Sequence, residues 1–150
     1  MTRMSHEEIG TMHRIPADLG AVTAVRRALV AELRGAQLDP RVVQDAALVV
    51  HELAENAVRH GGGAGRDLTP GTPAVEVSWH VGDGVVDLRV KDLGTAGFNA
   101  PAWPTSRLDG GRGLHIVEQL CRSWDVQHGP DGTEVSARVD TRSDAAEVTA

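Results

Sequence analysis

The hydrophobic pattern of this chain changes its period between residues 60 and 75, and this change constrains the fold more than any other feature. Up to residue 60 the apolar side chains recur every three to four residues, as on one face of a helix. From residue 75 they alternate with polar side chains, as in half-buried strands. A segment rich in Gly and Pro, residues 61–73, separates the two parts. The order of helices before strands favours helices gathered on one face of a mostly antiparallel sheet.

Local signals predict where the first two helices begin and end. Asp18 is the predicted N-cap of the first helix, and Gly35 ends it. Asp39 is the predicted cap of the second helix, with Pro40 at its first position. Proline is suited to that position because the backbone N–H there has no partner within the helix. The helical pattern then continues to about His60. Two consecutive helices of this kind form one layer of the fold.

The remaining elements complete an α+β two-layer sandwich. A short strand at 12–16 is predicted before the first helix, and a hairpin with strands at 75–80 and 86–92 after the loop. A third helix at 112–124 and a second hairpin with strands at 124–128 and 133–139 follow. Residues 93–111 show no period and are predicted to form a long loop, which in a compact domain is usually functional. A doubly wound parallel sheet would need strict alternation of strand and helix, and the sequence does not have it.

Length and composition narrow the class of protein. A chain of 150 residues is long enough for one domain with its own core. We expect a flexible leader at 1–11, the folded domain at 12–140 and a disordered tail at 141–150. The net charge of −6 argues against direct nucleic-acid binding or an anionic membrane surface, because both require basic patches. One cysteine, no zinc-like spacing and no apolar leader favour the cytoplasm.

One polar pair interrupts the second helix at the edge of its apolar face. Glu52 and Asn56 are one turn apart, and Arg59 follows before three glycines. A carboxylate at the wall of a cleft is partly dehydrated and held by its neighbours, and such a carboxylate is a candidate for catalysis or ligand binding. The alternative interpretation is a solvated helix edge, which is common for charged residues.

Two glycine-rich turns add further candidate sites. Asp92 ends a strand and is followed by Gly94 and Gly97, so it could accept a hydrogen bond from the amine of a flat ring; a simple strand-to-loop turn is the alternative. The run GGRGLHIV from Gly110 precedes a helix, where backbone N–H groups and the helix dipole favour a phosphate. Its alternative is a flexible joint.

Taken together and in order, these segments resemble a known superfamily. ELAENAVRHG, DLGTAG, GGRGLHIVEQL and the late GTEV are similar to the N, G1 and G2 boxes and last strand of the Bergerat-fold ATP-binding proteins. That superfamily includes gyrase B, MutL, histidine kinases and anti-sigma factor kinases. The resemblance covers about residues 12–140 and implies the Bergerat fold with bound ATP or ADP and Mg²⁺. The short chain, with two helices before the hairpin, most resembles bacterial anti-sigma factor serine/threonine kinases.

The resemblance implies a role for each matching residue. Glu52 matches the general base, Asn56 the magnesium ligand and Asp92 the acceptor for the adenine amine. The other implied nucleotide contacts are Gly94 and Gly97 by the base, Gly111, Arg112, Gly113 and Leu114 by the phosphates, Thr133 near the adenine, and Arg59 and His60 at the pocket edge. The chain departs from the family pattern where Ala96 replaces the second glycine of the adenine-side turn.

The implied function is an ATP- and Mg²⁺-dependent protein serine/threonine kinase that acts as an anti-sigma factor. Such a protein sequesters a sigma factor and phosphorylates a small STAS-type antagonist, and the family resemblance suggests a homodimer. Three alternatives stay open. They are a catalytically weak or inactive ATP-gated binding module, motivated by Ala96; the catalytic half of a sensor histidine kinase, disfavoured because no phospho-acceptor helix precedes residue 12; and a structural domain without ligand.

Overall fold

The computed structural model describes residues 9–60, 71–93, 112–129 and 132–141. Its elements are β1 (Ile9–Pro16), α1 (Leu19–Gly35), α2 (Pro40–His60), β2 (Pro73–Gly82), β3 (Val85–Asp92), α3 (Arg112–Leu120), β4 (Ser123–Gly129) and β5 (Gly132–Asp140). The strands form one sheet in the order β1-β2-β3-β5-β4, and every neighbouring pair is antiparallel. The helices pack on one face of this sheet, which confirms the predicted α+β two-layer sandwich.

The first two helices begin at the residues that the sequence indicates. The Asp18 side chain accepts a hydrogen bond from the Gly20 backbone N–H at 3.1 Å, so it caps α1 as predicted. Asp39 accepts one from the Arg41 N–H at 2.8 Å, and α2 starts at Pro40. The ends at Gly35 and His60 are also confirmed.

One continuous core joins the helices to the sheet. The inward positions of β2, β3 and β5 alternate with polar residues, and these apolar side chains meet the apolar faces of α1 and α2. Leu29, Leu33, Leu53 and Leu88 are fully buried, and each such leucine stabilises the fold by about 1.5–3 kcal/mol. The core therefore holds α2 over the centre of the sheet, where it contacts β2, β3 and β5.

The first strand is longer than the sequence predicts. β1 begins at Ile9, not Met12, so its first residues lie within the segment expected as a leader. The reason is pairing across the sheet, because Ile9 aligns with Val81 at the far end of the long strand β2. β2 likewise begins at Pro73, a residue assigned to the preceding loop.

The third helix is shorter than predicted. α3 ends at Leu120, four residues before Trp124. The Arg122 backbone N–H donates to the Arg138 carbonyl oxygen at 2.8 Å, which draws the chain into the sheet, and β4 begins at the next residue. Tertiary pairing thus overrides the local helical pattern at this point.

Over the ranges that the structure covers, no helix has both the length and the apolar character needed to cross a membrane.

Candidate functional site

The second half of α2 holds Glu52 and Asn56 at the boundary of the core. Leu53 and Ala57, their neighbours in the chain, are buried, whereas Glu52 and Asn56 are half-buried. The carboxylate of Glu52 forms no hydrogen bond or ion pair with any residue that the structure describes. This edge of α2 therefore carries an acid that is partly shielded from water and not held by another side chain.

The amide of Asn56 contains an unsatisfied polar atom. Its Nδ2 is buried, and no hydrogen-bond partner lies within the described parts of the chain. Buried polar side-chain atoms without partners are uncommon in native proteins and call for a specific explanation. Since amide nitrogen and oxygen exchange places on a 180° flip, either atom can occupy this position. A ligand or metal ion placed here would satisfy the group.

The donor set at this edge suits a magnesium ion that is shared with phosphate. Among the described residues, no group of three or more His, Cys, Asp or Glu side chains could hold a metal by itself. Mg²⁺ commonly takes one or two protein oxygens and completes its shell with water and substrate phosphates. The Asn56 amide oxygen, with the Glu52 carboxylate one turn away, fits this second arrangement.

The Arg59 side chain pairs with a carboxylate on its own helix. Its Nη2 lies 2.8 Å from Oε2 of Glu55, and its side chain is 54% exposed. Nε2 of His51 lies 3.4 Å from the other oxygen of the same carboxylate. An exposed pair at this spacing is worth only about 0.3–0.5 kcal/mol, so a phosphate could displace it. The pocket-edge role of Arg59 stays a prediction.

The end of β3 carries a buried carboxylate. Asp92 is 4% exposed, and with Thr133, at 8%, it is one of the two buried polar side chains in the described residues. Both continue the inward-facing series of their strands. Asp92 follows Lys91 and Thr133 precedes Glu134, and Lys91 and Glu134 are the pair at this end of the β3–β5 ladder. An acid and a hydroxyl group therefore sit at adjacent strand ends on the helix-covered face.

A glycine at the start of β5 permits the close approach of the β5 backbone to the backbone of Asp92 at the end of β3. Gly132 has φ +129°, and a Cβ atom on it would overlap the backbone carbonyl oxygen of Asp92. Only glycine adopts this conformation without strain and leaves the space empty. Gly132 was not among the predicted site residues, although the glycine of GTEV, directly before Thr133, was the available signal.

His128 is a second residue that the sequence did not indicate. Its Nδ1 lies 3.1 Å from the Thr133 hydroxyl oxygen, and the two residues are paired across β4 and β5. Either group can donate, depending on the tautomer of the histidine. The predicted hairpin of residues 124–128 and 133–139 implies that these two residues face each other, but no motif in the sequence marks His128 as part of the site.

The third helix lies along the α2 edge that carries Glu52. α3 packs on α2, and Cys121 follows its last residue. Burial, and then the negative charge of Asp45, raise the pKa of the Cys121 thiol to about 12. Asp45 therefore lies near the end of α3, two turns before Glu52 on the same side of α2. α3 therefore packs near the side of α2 that Asp45 shares with Glu52.

Comparison with known proteins identifies the family. A family model described as "Histidine kinase-like ATPase domain" matches residues 15–139. The chain belongs to this family. It is thus an ATP-binding domain of the histidine kinase-like type, with the kinase-like α+β fold described above.

Two solved structures that are similar to this histidine kinase-like ATPase domain are distant from it in sequence. A crystal structure of the RsbU and RsbW domains of Rv1364c from Mycobacterium tuberculosis matches with a TM-score of 0.65 and 22% identity, over 88% of this chain and 32% of that one. This chain therefore spans about a third of that structure. The histidine kinase domain of the blue-light activated histidine kinase from Erythrobacter litoralis EL346 matches with a TM-score of 0.47 and 21% identity, over 67% and 45%. No curated protein matches the chain.

Several predicted contacts of this histidine kinase-like ATPase domain lie outside the described residues. These are Gly94, Gly97 and Gly111. Arg112, Gly113 and Leu114 form the first turn of α3, and His60 ends α2, but only their backbone is described. The roles assigned to all seven stay predictions.

Proposed function

We propose that this protein is an ATP- and Mg²⁺-dependent serine/threonine kinase that acts as an anti-sigma factor. It sequesters a sigma factor and phosphorylates a small STAS-type antagonist, in the cytoplasm and as a homodimer. The observation that carries the kinase half is the unsatisfied buried amide of Asn56 beside the half-buried, unpaired carboxylate of Glu52. The regulatory half is supported by the sequence resemblance and by the fold shared with the structure that contains an RsbW domain.

The buried polar groups at the sheet edge support adenine binding in this proposal. Asp92 accepts a hydrogen bond from the exocyclic amine, and Thr133 contacts the ring beside it. Both groups are withdrawn from water, so a hydrogen bond to the base is stronger than it would be at the surface. Gly111 and Gly113 stay assigned to the phosphates by the sequence motif, because glycine lets backbone N–H groups approach an anion at a helix N-terminus.

Glu52 serves as the general base in the proposed reaction. Its carboxylate accepts the proton of a seryl or threonyl hydroxyl while that oxygen forms a bond to the γ-phosphorus. The bond from the γ-phosphorus to the bridging oxygen breaks, and ADP leaves with that electron pair. The Asn56 amide oxygen would hold the metal ion. Mg²⁺, when bound, neutralises phosphate charge.

Phosphotransfer assays on three variants test this assignment. With labelled ATP, magnesium and a candidate antagonist, Glu52→Gln should bind ATP normally and lose about a hundredfold or more in transfer rate. Asn56→Ala should lose magnesium-dependent ATP affinity, measured by calorimetry. Its unfolding free energy should change by less than about 1 kcal/mol, because the variant removes a group that has no hydrogen bond to lose.

Glu55→Gln is the matched control, because Glu55 is an acid on the same helix that pairs with Arg59 and His51. It should transfer phosphate at nearly the normal rate. Phosphotransfer by Glu52→Gln at the rate of the unmodified protein would contradict the proposed base, and equal losses in Glu52→Gln and Glu55→Gln would show a general charge effect.

A nucleotide-gated binding module without phosphotransfer is the second candidate. It is favoured by Ala96, which puts a methyl group where the family has glycine. In that case partner binding depends on ATP, no phosphate appears on serine or threonine, and Glu52→Gln leaves partner binding unchanged.

A further inference from the structure

The outer side of α1 carries a basic groove. Its volume is about 300 Å³, and its lining residues are Arg26, Arg27, Val30, Ala31 and Arg34. These positions border the apolar stripe of α1 that packs in the core: Arg26 and Val30 are half-buried, whereas Arg27, Ala31 and Arg34 are exposed. We call this surface the α1 groove. Three arginine and two apolar side chains line it.

The charge of the α1 groove is not balanced within the part of the chain that the structure describes. The whole protein has a net charge of −6, yet no carboxylate lines the groove. Arg14, Arg59 and Arg122 each form a salt bridge, whereas none of the three groove arginines does so with a described residue. Three neighbouring arginines without described carboxylate partners form a positive patch that can attract an anionic partner.

Arg26 adds a second, independent observation. Its Nε atom is buried and has no hydrogen-bond partner among the described residues. A buried donor without an acceptor destabilises the protein unless something else satisfies it. An oxygen acceptor that enters the groove beside Val30 would do so. The arginine fork is also suited to paired contacts with a carboxylate.

The dimensions of the groove indicate what kind of ligand fits. Arg26 and Arg34 are eight residues apart, which corresponds to about 12 Å along the helix. Three guanidinium groups spread over this length can each pair with a separate carboxylate. The apolar residues Val30 and Ala31, between Arg27 and Arg34 in the chain, suit contact with an apolar side chain. The matching ligand is a polypeptide with two or more carboxylates about two helical turns apart and an apolar residue between them.

We propose that the α1 groove is a docking site for an acidic segment of a partner protein. The segment pairs its carboxylates with Arg26, Arg27 and Arg34 and lays an apolar side chain on Val30 and Ala31. This surface lies on α1, whereas the candidate nucleotide residues lie on α2, β3 and β5. Docking therefore does not depend on the proposed kinase activity. The α1 groove is a separate surface for recognition of a partner.

A labelled model peptide tests the docking site in the full chain. The probe is a helical peptide of about 14 residues with Glu at every fourth position and Leu between, and the same peptide with Lys for Glu is its control. Fluorescence anisotropy in about 50 mM salt measures the affinity, since higher salt screens exposed charges. We expect the acidic peptide to bind and to shift the NMR signals of the Arg26, Arg27 and Arg34 side-chain N–H groups.

The double variant Arg27→Gln/Arg34→Gln should weaken this binding about tenfold, as expected for the loss of two exposed charge contacts. The matched control, Arg14→Gln/Arg122→Gln, removes the same charge from arginines that already have carboxylate partners, and should stay within about twofold. Arg26 is kept in both proteins because its buried Nε makes a change there a risk to folding. Circular dichroism checks that both variants are folded.

Four outcomes would overturn the proposal. They are no binding of the acidic peptide, equal weakening in the two double variants, NMR shifts centred outside α1, or the same shifts and full competition from millimolar inorganic phosphate. The last result would make the groove a small-anion site. Calorimetry with ATP on Arg27→Gln/Arg34→Gln separates the two proposals, because nucleotide affinity should be unchanged whether or not the peptide binds.

Discussion

Replacement of Gly132 by alanine tests the contact that brings β5 against the end of β3. The Cβ atom of an alanine at this position would overlap the backbone carbonyl oxygen of Asp92. Neither partner is a flexible side chain, because both belong to paired strands of the sheet. The overlap can be relieved only if the strands separate at the point where Asp92 and Thr133 meet.

The expected loss of stability has two parts. A non-glycine residue held at φ +129° costs about 1–3 kcal/mol. Overpacking against fixed neighbours adds about 1–3 kcal/mol. Gly132→Ala should therefore lower the free energy of unfolding by about 2–6 kcal/mol. If the variant still folds, its ATP affinity should fall as well, since the separation displaces both proposed adenine contacts.

Two other glycines serve as controls in the same urea unfolding experiment. Gly84 has φ +78° and open space around its Cβ position, so alanine there should cost only about 1–2 kcal/mol from backbone strain. Gly35 has no positive φ and no nearby atom, so alanine should be neutral or stabilising by up to about 1 kcal/mol. A Gly132→Ala protein no less stable than Gly84→Ala would refute the close approach of the two strands.

Three further predictions address the thiol, the core and a cap. Because its pKa is raised to about 12, the thiol of folded Cys121 should react with a disulfide reagent about a thousandfold more slowly at pH 8 than the thiol of the unfolded chain. Asp45→Asn removes one cause of the raised pKa and should speed the reaction. The free energy of unfolding should fall as the pH rises above about 8.5, because the thiol ionises at lower pH in the unfolded chain than in the folded one. Leu53→Ala should cost about 2–5 kcal/mol in urea unfolding, whereas Leu48→Ala, at a 42% exposed position of the same helix, should stay within about 1 kcal/mol. Asp18→Ala should cost about 1 kcal/mol and reduce helix content measured by circular dichroism; an unchanged melting curve would contradict the cap.

The candidate site was predictable from the sequence where it depends on local pattern. Glu52 and Asn56 could be placed at a helix edge because the 3.6-residue period fixes which side chains border the buried face. Asp92 could be placed at a strand end for the corresponding reason. Local pattern could not predict that Asp92 lies beside Thr133, because a helix and another strand separate β3 from β5 in the chain.

The sequence by itself determined the boundaries of the first two helices and the inward faces of the strands, since caps and hydrophobic alternation act over a few residues. Only the tertiary structure decided that β5 pairs with β3 and that Gly132 approaches Asp92. It also shortened α3 and lengthened β1. These features depend on backbone pairing between distant segments, and such pairing is selected by the packing of the whole sheet under the helices.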